Sequence, residues 1–314
     1  MSSVTDAAAP PIRLALVGVG KIARDQHLPA IAADARFELV ATASQHGRVE
    51  GTPGYETLDH LLAAELQLDA VSICTPPVGR SLIAIAAIEA GLDVMVEKPP
   101  AATLSEMKTL EASAEAAGAV LFTAWHSRQA AGVAAAREWL AQRRIDHVSI
   151  MWREDIRRWH PGQDWILAAG GFGVFDPGIN ALSIVTAILP DPIVVESASF
   201  AIPSDRQSPI SASLHMRSRA ASITAEFDFL HEGPQQWDII VETDGGSLEL
   251  RNGGGTLDIN GSTVEGPDQE YPQLYARFAE LILTRQSDVD VSPLRLVADA
   301  YLLGSKRSVP EFKW

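Results

Sequence analysis

From residue 12 to about 125 the chain alternates short apolar runs with longer segments of mixed pattern. The runs fall at 14–17, 38–44, 70–74, 94–97 and 120–125. Short runs of this kind, bounded by turn residues, predict strands covered on both faces of a parallel sheet. Helices are expected between them, near 21–32, 58–65, 81–90 and 104–117. Thr103 and Glu106 have the spacing of a capping box for the last of these. Strand and helix in alternation form the βαβ series of a doubly wound fold.

After Trp125 the pattern changes. A helix is predicted over 131–142 and a strand over 148–153. Residues 154–173 carry little regular pattern, yet they hold Arg157, Arg158, Trp159, His160 and Trp165. A long irregular stretch rich in such residues points to function. A helix follows over 178–189, then β segments at 193–202, 211–216, 222–229, 237–242, 247–250 and 256–259. Turns such as Thr243-Asp244-Gly245-Gly246 and Arg251-Asn252-Gly253-Gly254 separate the later segments, a spacing that predicts an antiparallel sheet. Two helices, 271–284 and 293–307, end the chain. A length of 314 residues suits about two domains.

The first run leads into Gly18-Val19-Gly20-Lys21-Ile22-Ala23. Gly18 permits a sharp turn, Gly20 lets a pyrophosphate approach the backbone, and Ala23 is small enough for helix to pack on strand. The helix start then presents free N–H groups and a positive dipole end to phosphates. In this context G-x-G-x-x-A is a dinucleotide fingerprint. Gly18, Gly20, Lys21 and Ile22 are thus candidate cofactor residues. The expected fold is α/β: a Rossmann doubly wound parallel sheet over 1–128, then an α+β domain over 129–314 with a large, mostly antiparallel open sheet.

The end of the second strand bears on the cofactor. An acid about 20 residues after the glycines normally takes the ribose 2′-OH of NAD. Here the strand ends Ser44-Gln45-His46-Gly47-Arg48, and the acid is missing. Ser44 suits a hydroxyl or a phosphate, with Gln45 and His46 beside it, so NAD and NADP both remain open. Thr75-Pro76-Pro77 and Glu97-Lys98-Pro99-Pro100 end two further strands at the sheet edge where ligands bind. Thr75, Pro76, Glu97 and Lys98 therefore join the cofactor set. Lys98, fixed by two prolines, is expected beside the nicotinamide.

Composition narrows the partners. A net charge of -15 opposes nucleic-acid phosphates and anionic membrane surfaces, so neither is expected to bind. The single cysteine, Cys74, lies in an apolar run and leaves no intrachain disulfide or cysteine metal site. Met1 to Pro10 lacks a basic start and an apolar core, and no stretch reaches about 18 consecutive apolar residues. A disordered tail, no membrane span and a cytoplasmic location are the expectations.

These motifs together resemble the Gfo/Idh/MocA family of NAD(P)-dependent sugar oxidoreductases over nearly the whole chain. The marks are Gly18-Val19-Gly20-Lys21-Ile22-Ala23, His27-Leu28-Pro29-Ala30, Thr75-Pro76-Pro77 and Glu97-Lys98-Pro99. Arg157-Arg158-Trp159-His160-Pro161-Gly162-Gln163 and Gly173-Val174-Phe175-Asp176-Pro177-Gly178-Ile179-Asn180 look similar to its branch acting on L-arabinose and D-galactose. The resemblance implies hydride transfer from C1 of an aldopyranose to NAD or NADP, giving a lactone, in a homo-oligomer, with a dimer favoured. Most of the family has a catalytic His where this chain has Asn180. An amide is no base, so the chemistry falls to Asp176, helped by Lys98. The resemblance also implies that Glu154, His160 and Asn180 hydrogen-bond the sugar while Trp159 and Trp237 cover its C–H face. Arabinose enzymes of the branch place Arg where this chain has Gln45, which weakens a case for strict NADP use.

Other readings of these residues stand beside this one. Asp176 and Asn180 share a helix face if the helix begins near Asp176. Asp176-Pro177 also looks like a helix start, with Asp as N-cap and Pro at N1, which makes the carboxylate a poorer base. Trp237 fits a core position as well, and Glu154 with Arg157 or Arg158 fits a surface ion pair. His126, just after the strand at 120–125, is expected near nicotinamide or sugar. No metal site is implied, since His126 and His160 lack ligand-spaced partners. The alternative functions are another sugar or polyol oxidoreductase of the same family, or a non-catalytic NAD(P) sensor. A sensor would have lost the acid–base set, whereas Lys98 and Asp176 are both present.

Overall fold

A computed structural model describes residues 10–314; the expected tail at Met1 to Pro10 lies outside the described residues except for Pro10. The first half contains β1 (Ile12–Val17), α1 (Leu28–Ala33), β2 (Phe37–Ala43), β3 (Gly54–Tyr55), α2 (Leu58–Leu62), β4 (Ala70–Ile73), α3 (Arg80–Glu89), β5 (Asp93–Glu97), α4 (Leu104–Ala117) and β6 (Leu121–Ala124). Its strands form one parallel sheet in the order β3-β2-β1-β4-β5-β6. The order reverses between β1 and β4, so a ligand crevice opens beyond their carboxyl ends. Every residue of β4 and β5 is buried, as strands covered on both faces must be. Thr103 and Glu106 make the capping box of α4. The first helix is not uniform: a wide π turn at Ala23–His27 precedes α1, a feature that often marks functional sites.

The second half contains α5 (Val133–Leu140), β7 (Ile145–Arg153), α6 (Ile156–Trp159), α7 (Phe175–Ile188), β8 (Ile193–Pro203), β9 (Ser211–Ser218), β10 (Ala221–Asp228), β11 (Gln236–Thr243), β12 (Gly246–Arg251), β13 (Thr256–Ile259), β14 (Ser262–Glu265), α8 (Glu270–Thr284), α9 (Ser292–Leu303) and β15 (Ser305–Val309). Nine strands form a second sheet, β14-β13-β12-β11-β7-β10-β9-β8-β15. It is mostly antiparallel; β7 with β10 and β8 with β15 are parallel. Along β9, Ala212, Leu214 and Met216 are buried and Ser213, His215 and Arg217 face outward, the period-2 pattern of a sheet with one covered face. Helices α5, α7 and α9 pack on that face.

Helix α8 follows the second sheet in sequence but packs on the first. Its stripe of Tyr271, Leu274, Tyr275, Phe278 and Leu281 joins Leu14, Leu16, Phe37 and Phe122 in one buried cluster. Three local expectations are corrected. The stretch 154–173 contains α6, because Asp155 caps it by accepting the Arg157 N–H at 2.9 Å. Helix α7 starts at Phe175 rather than 178. The last helix stops at Leu303, where Gly304 turns extended and the chain pairs with β8 as strand β15. Among the described residues no helix is long and apolar enough to cross a membrane.

Candidate active site

The end of β5 meets the first turn of α7. Lys98 Nζ donates to the Asp176 carbonyl at 3.0 Å and lies 3.5 Å from Asp176 Oδ1. The two side chains are only 12% and 7% exposed, so their attraction is little screened by water. Asp176 does not cap its helix. Val174 holds the cap position, and the Asp176 N–H donates to the Gly173 carbonyl at 2.9 Å. The helix starts early because the Val174 N–H is anchored on the Pro209 carbonyl at 2.7 Å. The Asp176 carboxylate is thereby left to face Lys98 and His160. Asn180 follows one turn later on the same helix, half-buried, with its carbonyl accepting from Ser183 Oγ at 2.7 Å.

His160 lies on the other side of Asp176. Its Nδ1 is 3.9 Å from Asp176 Oδ2, and its Nε2 is 3.1 Å from Glu154 Oε1. Glu154 is buried, and its Oε2 accepts from Trp237 Nε1 at 2.9 Å. The Trp237 ring packs 5.2 Å from that of Trp159 and 5.9 Å from that of Trp152. Lys98, Asp176, His160, Glu154 and Trp237 thus form one connected line. The surface-pair reading of Glu154 is corrected: Arg157 instead reaches Asp155 and the Lys313 carbonyl. Amine, carboxylates, imidazole and indole faces in one place suit a polyhydroxylated ligand, with hydrogen bonds for hydroxyls and flat apolar faces for C–H groups.

The crevice end of the first sheet fits a dinucleotide. Gly18 has φ 92°, and a Cβ there would lie 2.8 Å from the Thr75 N atom, so the turn after β1 is pressed against the loop after β4. A Cβ on Gly20 would meet nothing within 4 Å. That open space over a helix start is the cradle a pyrophosphate requires. Lys21 is exposed with its amine paired to Asp25, and Ile22 is half-buried. Thr75 Oγ1 is buried without a partner beside exposed Pro76. After β2, Ser44 Oγ accepts the Gly47 N–H at 3.2 Å, and Gln45 and His46 are exposed. Arg48 donates to the carbonyls of Ser44 and Gly47 and so braces this loop.

Glu97 turns inward, and its carboxylate is engaged within the protein. Its Oε1 accepts from His27 Nε2 at 3.0 Å and Tyr271 OH at 2.7 Å, and its Oε2 accepts the Lys98 N–H at 2.8 Å. His27 Nδ1 meets Tyr275 OH at 2.8 Å. His126 stacks on Tyr271 at 5.3 Å and pairs with Glu270. Burial opposes the charge on Glu97, but the hydrogen bond and charge of His27, aided by His126 and Lys98, bring its pKa down to about 2. Burial also opposes charge on His27, yet Cys74, Tyr275 and Glu97 around it raise its pKa well above the ordinary value. Arg80, equally buried, donates to the carbonyls of Thr75, Glu97 and Pro99 and ties the two strand-end loops together. Burial lowers its pKa to about 10, against the pull of Glu97, Cys74 and Asp176.

Sequence reasoning missed Arg80, Tyr271, Tyr275 and Glu270 as supports. The tyrosines sit one turn apart on an amphipathic helix, where they look like core. His27 is visible only within His27-Leu28-Pro29-Ala30.

Comparison with known proteins places the chain in a family. A model of the Gfo/Idh/MocA family, described as an oxidoreductase family with an NAD-binding Rossmann fold, matches residues 12–125. Galactose 1-dehydrogenase of Pseudomonas fluorescens is 48% identical over 309 residues, 96% of this chain and 99% of that one. The chain belongs to the Gfo/Idh/MocA family. Within that family, the crystal structure of D-galactose-1-dehydrogenase from Rhizobium etli superposes with a TM-score of 0.93 at 54% identity, covering 98% of this chain and 99% of its own. D-glucoside 3-dehydrogenase of Escherichia coli is 28% identical over 200 residues, 59% of this chain and 56% of its own. As a Gfo/Idh/MocA member the protein is an oxidoreductase, and β1 to β6 are its nicotinamide-dinucleotide domain.

Proposed function

We propose that the protein oxidises C1 of an aldopyranose, D-galactose or L-arabinose, to the lactone with NAD or NADP. The observation that carries this is the Lys98–Asp176–His160–Glu154 line at the edge of the dinucleotide sheet, in a chain similar along its whole length to a galactose 1-dehydrogenase. As hydride leaves C1, the C1 hydroxyl must lose its proton. Asp176 takes it, and Lys98 donates to the developing oxyanion. Asn180 orients the sugar. Glu154 and His160 hydrogen-bond its hydroxyls, and Trp159 and Trp237 cover its C–H face. His126 borders the same space through its stack on Tyr271.

When bound, the nicotinamide supplies the hydride acceptor. Backbone N–H groups following Gly18 and Gly20 hold the pyrophosphate. Ser44, Gln45 and His46 border the adenosine ribose, and Thr75 and Pro76 line the crevice. Glu97 acts from behind by fixing the Lys98 backbone. The open face of the nine-stranded sheet, where Met151, Thr224 and Ile240 are partly exposed, is the surface for a homodimer.

The two sugars share configuration from C2 to C4 and differ at C5, where galactose adds CH₂OH. A group of that size shifts discrimination by only about 1–3 kcal/mol, so both are expected to react. Cofactor reduction with L-arabinose, D-galactose, D-fucose, D-glucose, D-xylose and inositol tests this. Strong turnover is expected with the first three alone. Turnover on glucose, xylose or inositol in their place would contradict recognition of the galacto configuration.

A further inference from the structure

We infer that His160, oriented by Glu154, carries the reaction proton from Asp176 to solvent; this rests on the proposed role of Asp176 as base. Each oxidation breaks the C1–H bond, whose electron pair leaves as hydride to the nicotinamide, and the O–H bond, whose proton passes to Asp176 as the C1=O bond forms. Asp176 must lose that proton before the next turnover, yet its side chain is 7% exposed. Among the described residues, two basic side chains stand within 4 Å of its carboxylate: Lys98 at 3.5 Å and His160 at 3.9 Å. A lysine ammonium has no lone pair to accept a proton. His160 Nδ1 does when the ring proton sits on Nε2.

Glu154 sets that tautomer. Its Oε1 lies 3.1 Å from His160 Nε2, and its Oε2 is held by Trp237 at 2.9 Å, so the carboxylate cannot swing away. A carboxylate at Nε2 requires N–H there, leaves Nδ1 as the acceptor towards Asp176, and stabilises the imidazolium once the proton arrives. The His160 side chain is 19% exposed against 3% for Glu154, so the proton can leave from the ring. The 3.9 Å gap is longer than a hydrogen bond, as such contacts often are before substrate closes the site. On the far side the ring packs against Phe229; Lys98, Asp176 and Glu154 face this relay, and the buried Arg80 guanidinium adds its charge at Asp176.

The test is His160→Asn, assayed with D-galactose and each dinucleotide. Turnover is expected to fall about 100-fold, well beyond the rise in KM of up to about tenfold that one lost sugar hydrogen bond explains, to acquire a solvent deuterium isotope effect, and to recover saturably with added imidazole. Glu154→Gln is the second variant: its amide donates to Nε2, forces the ring proton onto Nδ1 and should also lower kcat. A raised KM with kcat unchanged in His160→Asn, or no rescue by imidazole, overturns the relay and leaves the sugar reaction standing. Normal kcat in Glu154→Gln does the same. No turnover of any sugar by the unaltered protein overturns the proposed function itself.

Discussion

Replacing Asp176 by Ala is expected to lower kcat by about 10²–10⁴-fold, the usual contribution of a positioned base. Dinucleotide affinity should change little, because Asp176 lies on α7 while the pyrophosphate cradle lies after β1. Lys98→Met should cause a loss of similar order by removing the donor for the oxyanion. It should leave the fold intact, since Lys98 donates to an Asp176 carbonyl within an established helix rather than bridging two strands. Steady-state turnover and a fluorescence titration of reduced dinucleotide separate the two effects. Near-normal kcat in both variants would contradict the assignment of base and oxyanion donor.

Glu97→Gln is expected to be the most destabilising single change near the site. It removes the charge that partners His27 inside the cluster between α8 and the first sheet, and breaking a buried pair typically costs about 3–5 kcal/mol. The pH dependence has a definite sign. The folded pKa of Glu97, about 2, is below its ordinary 4.5, so its contribution is complete above pH 4.5 and is lost as pH falls towards 2. His27 is raised above 6.5, so its contribution is complete below pH 6.5 and is lost as pH rises through the folded value. The pair therefore stabilises most between pH 4.5 and 6.5. Urea denaturation across pH should show both limbs in the unaltered protein and a flatter profile in the variant. Equal stability of the two at pH 5.5 would contradict a buried ion pair.

The dinucleotide half of the fold was legible because its signals are local. Apolar runs, the Gly18–Gly20 turn and the Thr103–Glu106 box each act within a few residues and sit where the structure has them. Helix α8 was legible as an amphipathic helix but not as part of the first sheet's core, because periodicity gives the apolar face and not the surface it meets. Asp176 was ambiguous for a related reason. Asp-Pro is an adequate helix start in isolation, whereas in the structure the distant Pro209 carbonyl and the turn bonds to Phe172 and Gly173 set the start at Phe175. The resemblance named Glu154, His160 and Trp237 separately. Their order as a line ending on Asp176 depends on strand pairing between β7 and β11, which no spacing in the sequence encodes. Glu97 ends β5 as a cofactor-side residue should, yet it faces inward because His27 and Tyr271 supply the hydrogen bonds a buried carboxylate needs.

The position of the sugar that is oxidised is the most consequential point, since a D-glucoside 3-dehydrogenase is also similar to part of this chain. Its most direct measurement follows a deuterium label. D-Galactose deuterated at C1, or separately at C3, is incubated with the protein and dinucleotide, and the reduced nicotinamide is analysed by mass and by NMR at C4. Label transferred from C1, with a primary isotope effect on hydride transfer, and none from C3 is the expected result. Label transferred from C3 with none from C1 would contradict oxidation at the anomeric carbon and the placement of Asp176 beside it.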